Sequence, residues 1–129
     1  MSQKRNVIAT TEAPGAVGPY SQAIATDSFV FTAGQIPINP ASGKIEAETI
    51  EDQTRQVLTN LEKVLLAAGS GLHQVVKMTV FMTDLGDFQA MNGVYAYFFP
   101  SYPPARSGVQ VVALPVVVQM EMEAVALTD

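Results

Sequence analysis

The chain contains no cysteine, which excludes disulfides and any mechanism that runs through a thiolate. Histidine is nearly absent as well. The single copy, His73, lies in a glycine-bounded turn ahead of an apolar strand, so neither a histidine-ligated metal site nor a Ser-His-Asp arrangement is expected. Cations are scarce: 7 Lys and Arg against 12 Asp and Glu give a formal net charge of −5. The few cations are scattered, which argues against a nucleic-acid partner. No apolar run approaches the roughly 18 residues of a membrane span. The opening MSQKRNVIATTEAP lacks the apolar stretch of a secretion signal, so a cytoplasmic location is expected. Dinucleotide fingerprints and EF-hand loops are missing, and GSG at 69–71 is too short for a phosphate loop.

What is present describes one domain over residues 1–129, long enough for a single core. Hydrophobic residues make up 48% of the chain, a surplus that suggests a homo-oligomer burying part of a sheet. NVIAT reads as a short first strand. Residues 20–26 and 29–33 form a hairpin about a turn at Asp27-Ser28. Thr49 caps a helix that runs to Gly69, with Val57, Leu58, Leu61, Val64 and Leu65 at helical spacing. A strand follows, with Val76, Met78, Val80 and Met82 on one face, so the strands flanking the helix are expected to be parallel. DLGDFQAMNGVYAYFF gives a second helix with Phe88, Met91, Tyr95 and Phe98 on one stripe. The fold class is α+β: a mixed sheet with two helices on one face and the other face bare.

The last segment, PPARSGVQVVALPVVVQMEMEAVAL (103–127), reads as a hairpin turning near Leu114-Pro115. Val116, Val118, Met120, Met122, Ala124 and Ala126 share one face of its second strand, with Gln119, Glu121 and Glu123 on the other. In that arrangement Arg106 lies opposite Glu121 or Glu123 on the same side of the sheet. A guanidinium grips a carboxylate with two parallel hydrogen bonds. Arg106 therefore either clamps an acidic ligand or makes a structural ion pair with those glutamates; the residues alone favour the ion pair. Glu121 either holds a water or neutralises Arg106, and a neighbouring arginine would lower its pKa.

Four stretches, GPYSQA, FTAGQIPINPASG, VVKMTVFMTDLGDFQAMNGVY and PPARSGVQVVALPVVVQMEMEA, resemble in order the segments of the RidA/YjgF family of reactive intermediate deaminases. The resemblance implies a chorismate-mutase-like fold, a homotrimer with sites between subunits, and cofactor-independent hydrolysis of enamines and imines such as 2-aminoacrylate and 2-aminocrotonate. The products would be a 2-keto acid and ammonia. Carried onto this chain, Arg106 looks like the clamp on the substrate carboxylate and Glu121 like the group that positions the attacking water. Tyr20, Gly34 and Asn92 match positions that line the same pocket. Read without the family, Tyr20 could be a half-buried strand aromatic, Asn92 a surface helix residue and Gly34 a strand end. Two positions depart from the pattern. Ala33 stands where well-studied members carry a serine that contacts the carboxylate, and Gly108 stands where several carry a cysteine. A lost neutral hydrogen bond would weaken binding several-fold to about tenfold. Two rival readings remain: a protein that binds small carboxylates without turnover, and a translation-inhibiting ribonuclease.

Overall fold

The computed structural model describes residues 4–128. Its main sheet contains β1 (Asn6–Ile8), β2 (Ala23–Ala25), β3 (Phe29–Thr32), β6 (Val75–Met82), β7 (Ala105–Gln110) and β8 (Met120–Leu127). A separate small hairpin pairs β4 (Ile38–Asn39) with β5 (Lys44–Ile45). The helices are α1 (Ile50–Ala67) and α2 (Phe88–Phe98), and the sheet order is β1-β2-β3-β8-β6-β7. The expected α+β architecture is present. No helix among the described residues is long and apolar enough to cross a membrane.

Helix α1 forms where its caps say it should. The Thr49 hydroxyl accepts from the Asp52 amide at 3.1 Å, and Glu51 and Asp52 sit favourably at the positive end of the helix. At the other end Gly69 takes φ +77°, with Ser70 N–H donating to Leu65 and Gly69 N–H to Leu66. This closure satisfies carbonyls the helix leaves open, and the left-handed residue favours glycine. One face of α1 buries Val57, Leu58, Leu61, Val64 and Leu65 against Met78, Val80 and Met82 of β6 and Met120 and Met122 of β8. Each such side chain contributes about 1.5–3 kcal/mol of hydrophobic stabilisation.

Three local expectations change in the fold. Val76 is exposed and Val75 buried, because a bulge between Val75 and Lys77 resets the alternation. The last strand begins at Met120; Val116 lies in the preceding loop, 64% exposed and at φ +54°. That backbone conformation is costly for a β-branched residue. The third change is the largest: residues 103–127 do not form a hairpin. β8 lies between β3 and β6, antiparallel to both, while β7 pairs in parallel with the far side of β6. The connection over 111–119 is long enough to step across a strand. Its ends are held at the tip of β6, where Val111 N–H donates to Met82 and Thr83 N–H to Gln119.

The insertion of β8 also qualifies the parallel expectation. β3 and β6, on either side of α1, do run parallel, but β8 separates them; β6, α2 and β7 make the adjacent parallel crossover. The face away from the helices is bare, as expected, and shows Phe29, Phe31, Val109 and Leu127 partly exposed.

Candidate active site

The strand registers decide where the two principal polar residues point. Arg106 pairs with Met78, whose side chain is buried beneath the helices. Glu121 pairs with Phe81, and its neighbours Met120 and Met122 are the residues that face the helices. Arg106 and Glu121 therefore lie on opposite faces of the sheet, with β6 between their strands, roughly 10 Å apart laterally. The shared face expected from a hairpin does not exist, and neither does the ion pair. Among the described residues the one salt bridge joins Arg55 to Asp52.

The site residues instead divide into two groups. On the side of α2, Arg106 lines a cavity of about 440 Å³ with Asn92, Tyr95, Ala96, Phe99, Pro103 and Pro104. The guanidinium carbon lies 4.7 Å from the Tyr95 ring centroid and 5.0 Å from that of Phe88. Such contacts are attractive because the ring faces carry negative charge density. Tyr95 in turn stacks on Phe99 at 4.7 Å. The Asn92 Oδ1 is buried without a hydrogen-bond partner among the described residues, and the equally buried Tyr95 hydroxyl makes no well-formed hydrogen bond, the Arg106 side chain being the polar group that acts on it. Burial pushes the Tyr95 pKa up to about 12, partly offset by the positive charge of Arg106 and by hydrogen bonding from its side chain.

The second group lines a cavity of about 320 Å³: Tyr20, Ala33, Gly34 and Glu121, walled by Pro14, Gly15, Val17, Gln35, Ile36, Ile38 and Pro115. Burial and then the nearby charge of Glu123 raise the Glu121 pKa above the ordinary glutamate value. The direction is opposite to the one expected with an arginine alongside. Tyr20 stands in a loop rather than a strand, 48% exposed, its hydroxyl accepting from the Val17 amide at 3.3 Å. Gly34 has a steric role: a Cβ at this position would run into the Glu121 carboxylate.

Much of this cavity's wall is irregular backbone, held by the buried side-chain amides of Gln22, Asn60 and Gln53. Gln22 donates to the carbonyls of Thr10, Ala13 and Pro14 and accepts from the Thr10 amide. Asn60 on α1 donates to the carbonyls of Ile36 and Ile38. Gln53 on α1 donates to Ala47 and accepts from the Gln119 amide, steadying the approach to β8. Each replaces a hydrogen bond that buried loop backbone would otherwise lose.

Gly108, two residues along β7 from Arg106, lines neither cavity. Its role is to admit Phe88: a Cβ there would stand 2.9 Å from that ring. Sequence reasoning placed Phe88 and Tyr95 on a core stripe, which they occupy, but did not identify them as partners of Arg106. The signal that could have found them is an arginine on the strand that follows the aromatic helix. Among the described residues no cluster of three or more histidine or acidic side chains could hold a metal ion.

A family model described as Endoribonuclease L-PSP matches residues 10–128. Over 123 residues the chain is 43% identical to a 2-iminobutanoate/2-iminopropanoate deaminase from Homo sapiens, covering 95% of this chain and 90% of that protein. It is 46% identical over 125 residues to Reactive Intermediate Deaminase A, chloroplastic, from Arabidopsis thaliana, covering 97% and 67% respectively. Among solved structures, Escherichia coli TdcF with bound serine superposes with a TM-score of 0.91 at 46% identity, covering 96% of this chain and 99% of that one.

Proposed function

The chain belongs to the Endoribonuclease L-PSP family, the RidA/YjgF family its segments resemble, and from that premise we propose that it hydrolyses reactive enamines and imines of small 2-amino acids to 2-keto acids and ammonia. The observation that carries this reading is Arg106: a guanidinium held between two aromatic rings, with no carboxylate paired to it among the described residues. Such a group is prepared for an anionic ligand rather than satisfied by the fold.

In this reading Arg106 grips the substrate carboxylate through its planar fork. Glu121 holds a water and takes one of its protons as the oxygen adds to the imine carbon. The proton passes to nitrogen, ammonia leaves, and the remaining hydroxyl becomes the carbonyl of the keto acid. A raised pKa suits Glu121 to this work, because a stronger base draws the water proton more effectively. The substrate is already electrophilic, so positioning provides much of the acceleration required.

The opposite-face geometry has a consequence for assembly. One chain cannot bring Arg106 to Glu121, whereas a second copy docked on the bare face could contribute the missing half. This supports the homotrimer with sites between subunits. A cytoplasmic location belongs to the same reading and is compatible with the absence of cysteine.

The test has two parts. In a coupled reaction with threonine dehydratase and semicarbazide as trap, the wild type should suppress imine trapping and Arg106→Ala should not. Arg106→Ala and Glu121→Gln, each inactive alone, should then regain activity when dissociated and reassembled together. With random assortment about a quarter of inter-subunit sites would carry both native residues. If mixing restores nothing, the shared site is wrong. Binding of keto acid without imine turnover would favour the non-catalytic reading, and RNA cleavage that survives Arg106→Ala would favour the ribonuclease.

A further inference from the structure

The side chain that the deaminase reading leaves unused is Tyr95. It is 5% exposed, and its hydroxyl is buried beside Arg106, which acts on the phenol oxygen but can only donate, so the phenol proton has no acceptor among the described residues. Packing alone does not explain it. If this position needed only a ring against Phe99 and the guanidinium, phenylalanine would provide one without burying a hydroxyl proton that has no acceptor. Tyr95 also lines the same cavity as Arg106 and Asn92. The Asn92 Oδ1 is buried without a partner as well, so two of the residues that line the cavity with Arg106 carry buried, unsatisfied polar atoms.

We propose that Tyr95 is a second substrate-binding residue: its ring, with that of Phe88, holds the Arg106 fork in one plane, and its hydroxyl donates a hydrogen bond to the carboxylate that Arg106 grips. This rests on the reading of Arg106 as a carboxylate clamp but not on turnover. The guanidinium has several flexible bonds behind it, and a fork improves recognition only if its plane is set before the ligand arrives. Rings at 4.7 and 5.0 Å restrict it. The phenol remains a donor throughout the physiological range, since burial keeps its proton on. Gly108 belongs to the same device, because it allows the Phe88 ring to approach the strand beside Arg106.

The experiment uses the assembled wild-type protein and measures 2-oxobutanoate affinity by calorimetry, alongside KM and kcat for the imine. Tyr95→Phe keeps the ring and removes the hydroxyl. It should raise Kd and KM about tenfold, with kcat changed much less. Phe88→Leu removes one wall and should raise Kd about fivefold. Circular dichroism and sedimentation identify any variant that has lost its fold or assembly. If Tyr95→Phe binds like wild type, or changes only the oligomeric state, the hydroxyl does not meet the ligand and the proposal fails. Unchanged binding by Phe88→Leu overturns the cradle. Wild type that binds 2-oxobutanoate without imine turnover removes the deaminase reading but leaves both variants informative. No binding by wild type overturns the clamp and Tyr95 together.

Discussion

Gly34 and Glu121 touch so closely that position 34 has no room for a methyl group unless the carboxylate moves. Gly34 is not in the left-handed region, so alanine suits its backbone and the damage should be confined to the site. Gly34→Ala should lower kcat/KM by about tenfold or more through misplacement of the base proposed in Glu121, with the melting temperature nearly unchanged. Gly93→Ala is the matching control: a Cβ there meets nothing within 4 Å. In a helix interior it should add about 0.5–1 kcal/mol of stability. Equal activity in Gly34→Ala and wild type would refute the steric role of position 34.

The Glu121 carboxyl is raised by burial and by the charge of Glu123. In the proposed mechanism activity needs the ionised form, so the rate should fall as pH drops through this pKa. Glu123→Gln removes a like charge, which favours ionisation of Glu121 and lowers its pKa. The acid limb of the pH–rate profile should therefore move to lower pH in Glu123→Gln. A limb that stays in place, or moves upward, means that another group controls it.

Ala33 lines the cavity that contains Glu121, at the position where the family resemblance leads one to expect a serine. Ala33→Ser places a hydroxyl at that wall and should lower KM several-fold, the worth of about one neutral hydrogen bond. An unchanged KM would mean that this chain seats its substrate away from position 33.

The four hydrogen bonds of Gln22 hold residues 10–14 against the sheet. Gln22→Leu leaves those backbone groups unpaired and should cost about 2–4 kcal/mol. The Thr10 amide, which donates to Gln22 at 2.7 Å, should lose most of its protection in hydrogen exchange. Protection that persists would mean that the loop is held by other contacts.

Arg106→Lys keeps the charge but loses both the fork and the flat face that lies against Tyr95 and Phe88. KM should rise by at least about tenfold with a smaller change in kcat. Unaltered KM would mean that charge alone is recognised.

Local physics made much of this molecule legible. The limits of α1 follow from Thr49 and Gly69, because capping acts within a turn. The alternation of Met120, Met122, Ala124 and Ala126 marks a strand with one buried face, and all four are buried. The resemblance placed Tyr20, Gly34, Asn92, Arg106 and Glu121 at one pocket; within one chain Tyr20, Gly34 and Glu121 line one cavity with Ala33, and Asn92 and Arg106 line another. Alternation does not, however, state which strand lies alongside or which face meets the helices. Arg106, Gly108 and Gln110 are too polar to read as core-facing, yet their face of the edge strand turns toward α2. The tertiary structure inserted β8 beside β6, put Arg106 and Glu121 on opposite faces and gave Glu121 a carboxylate rather than a cation as its charged neighbour. Strand neighbours depend on burying the most apolar strands centrally, a property of the whole sheet that no single segment encodes.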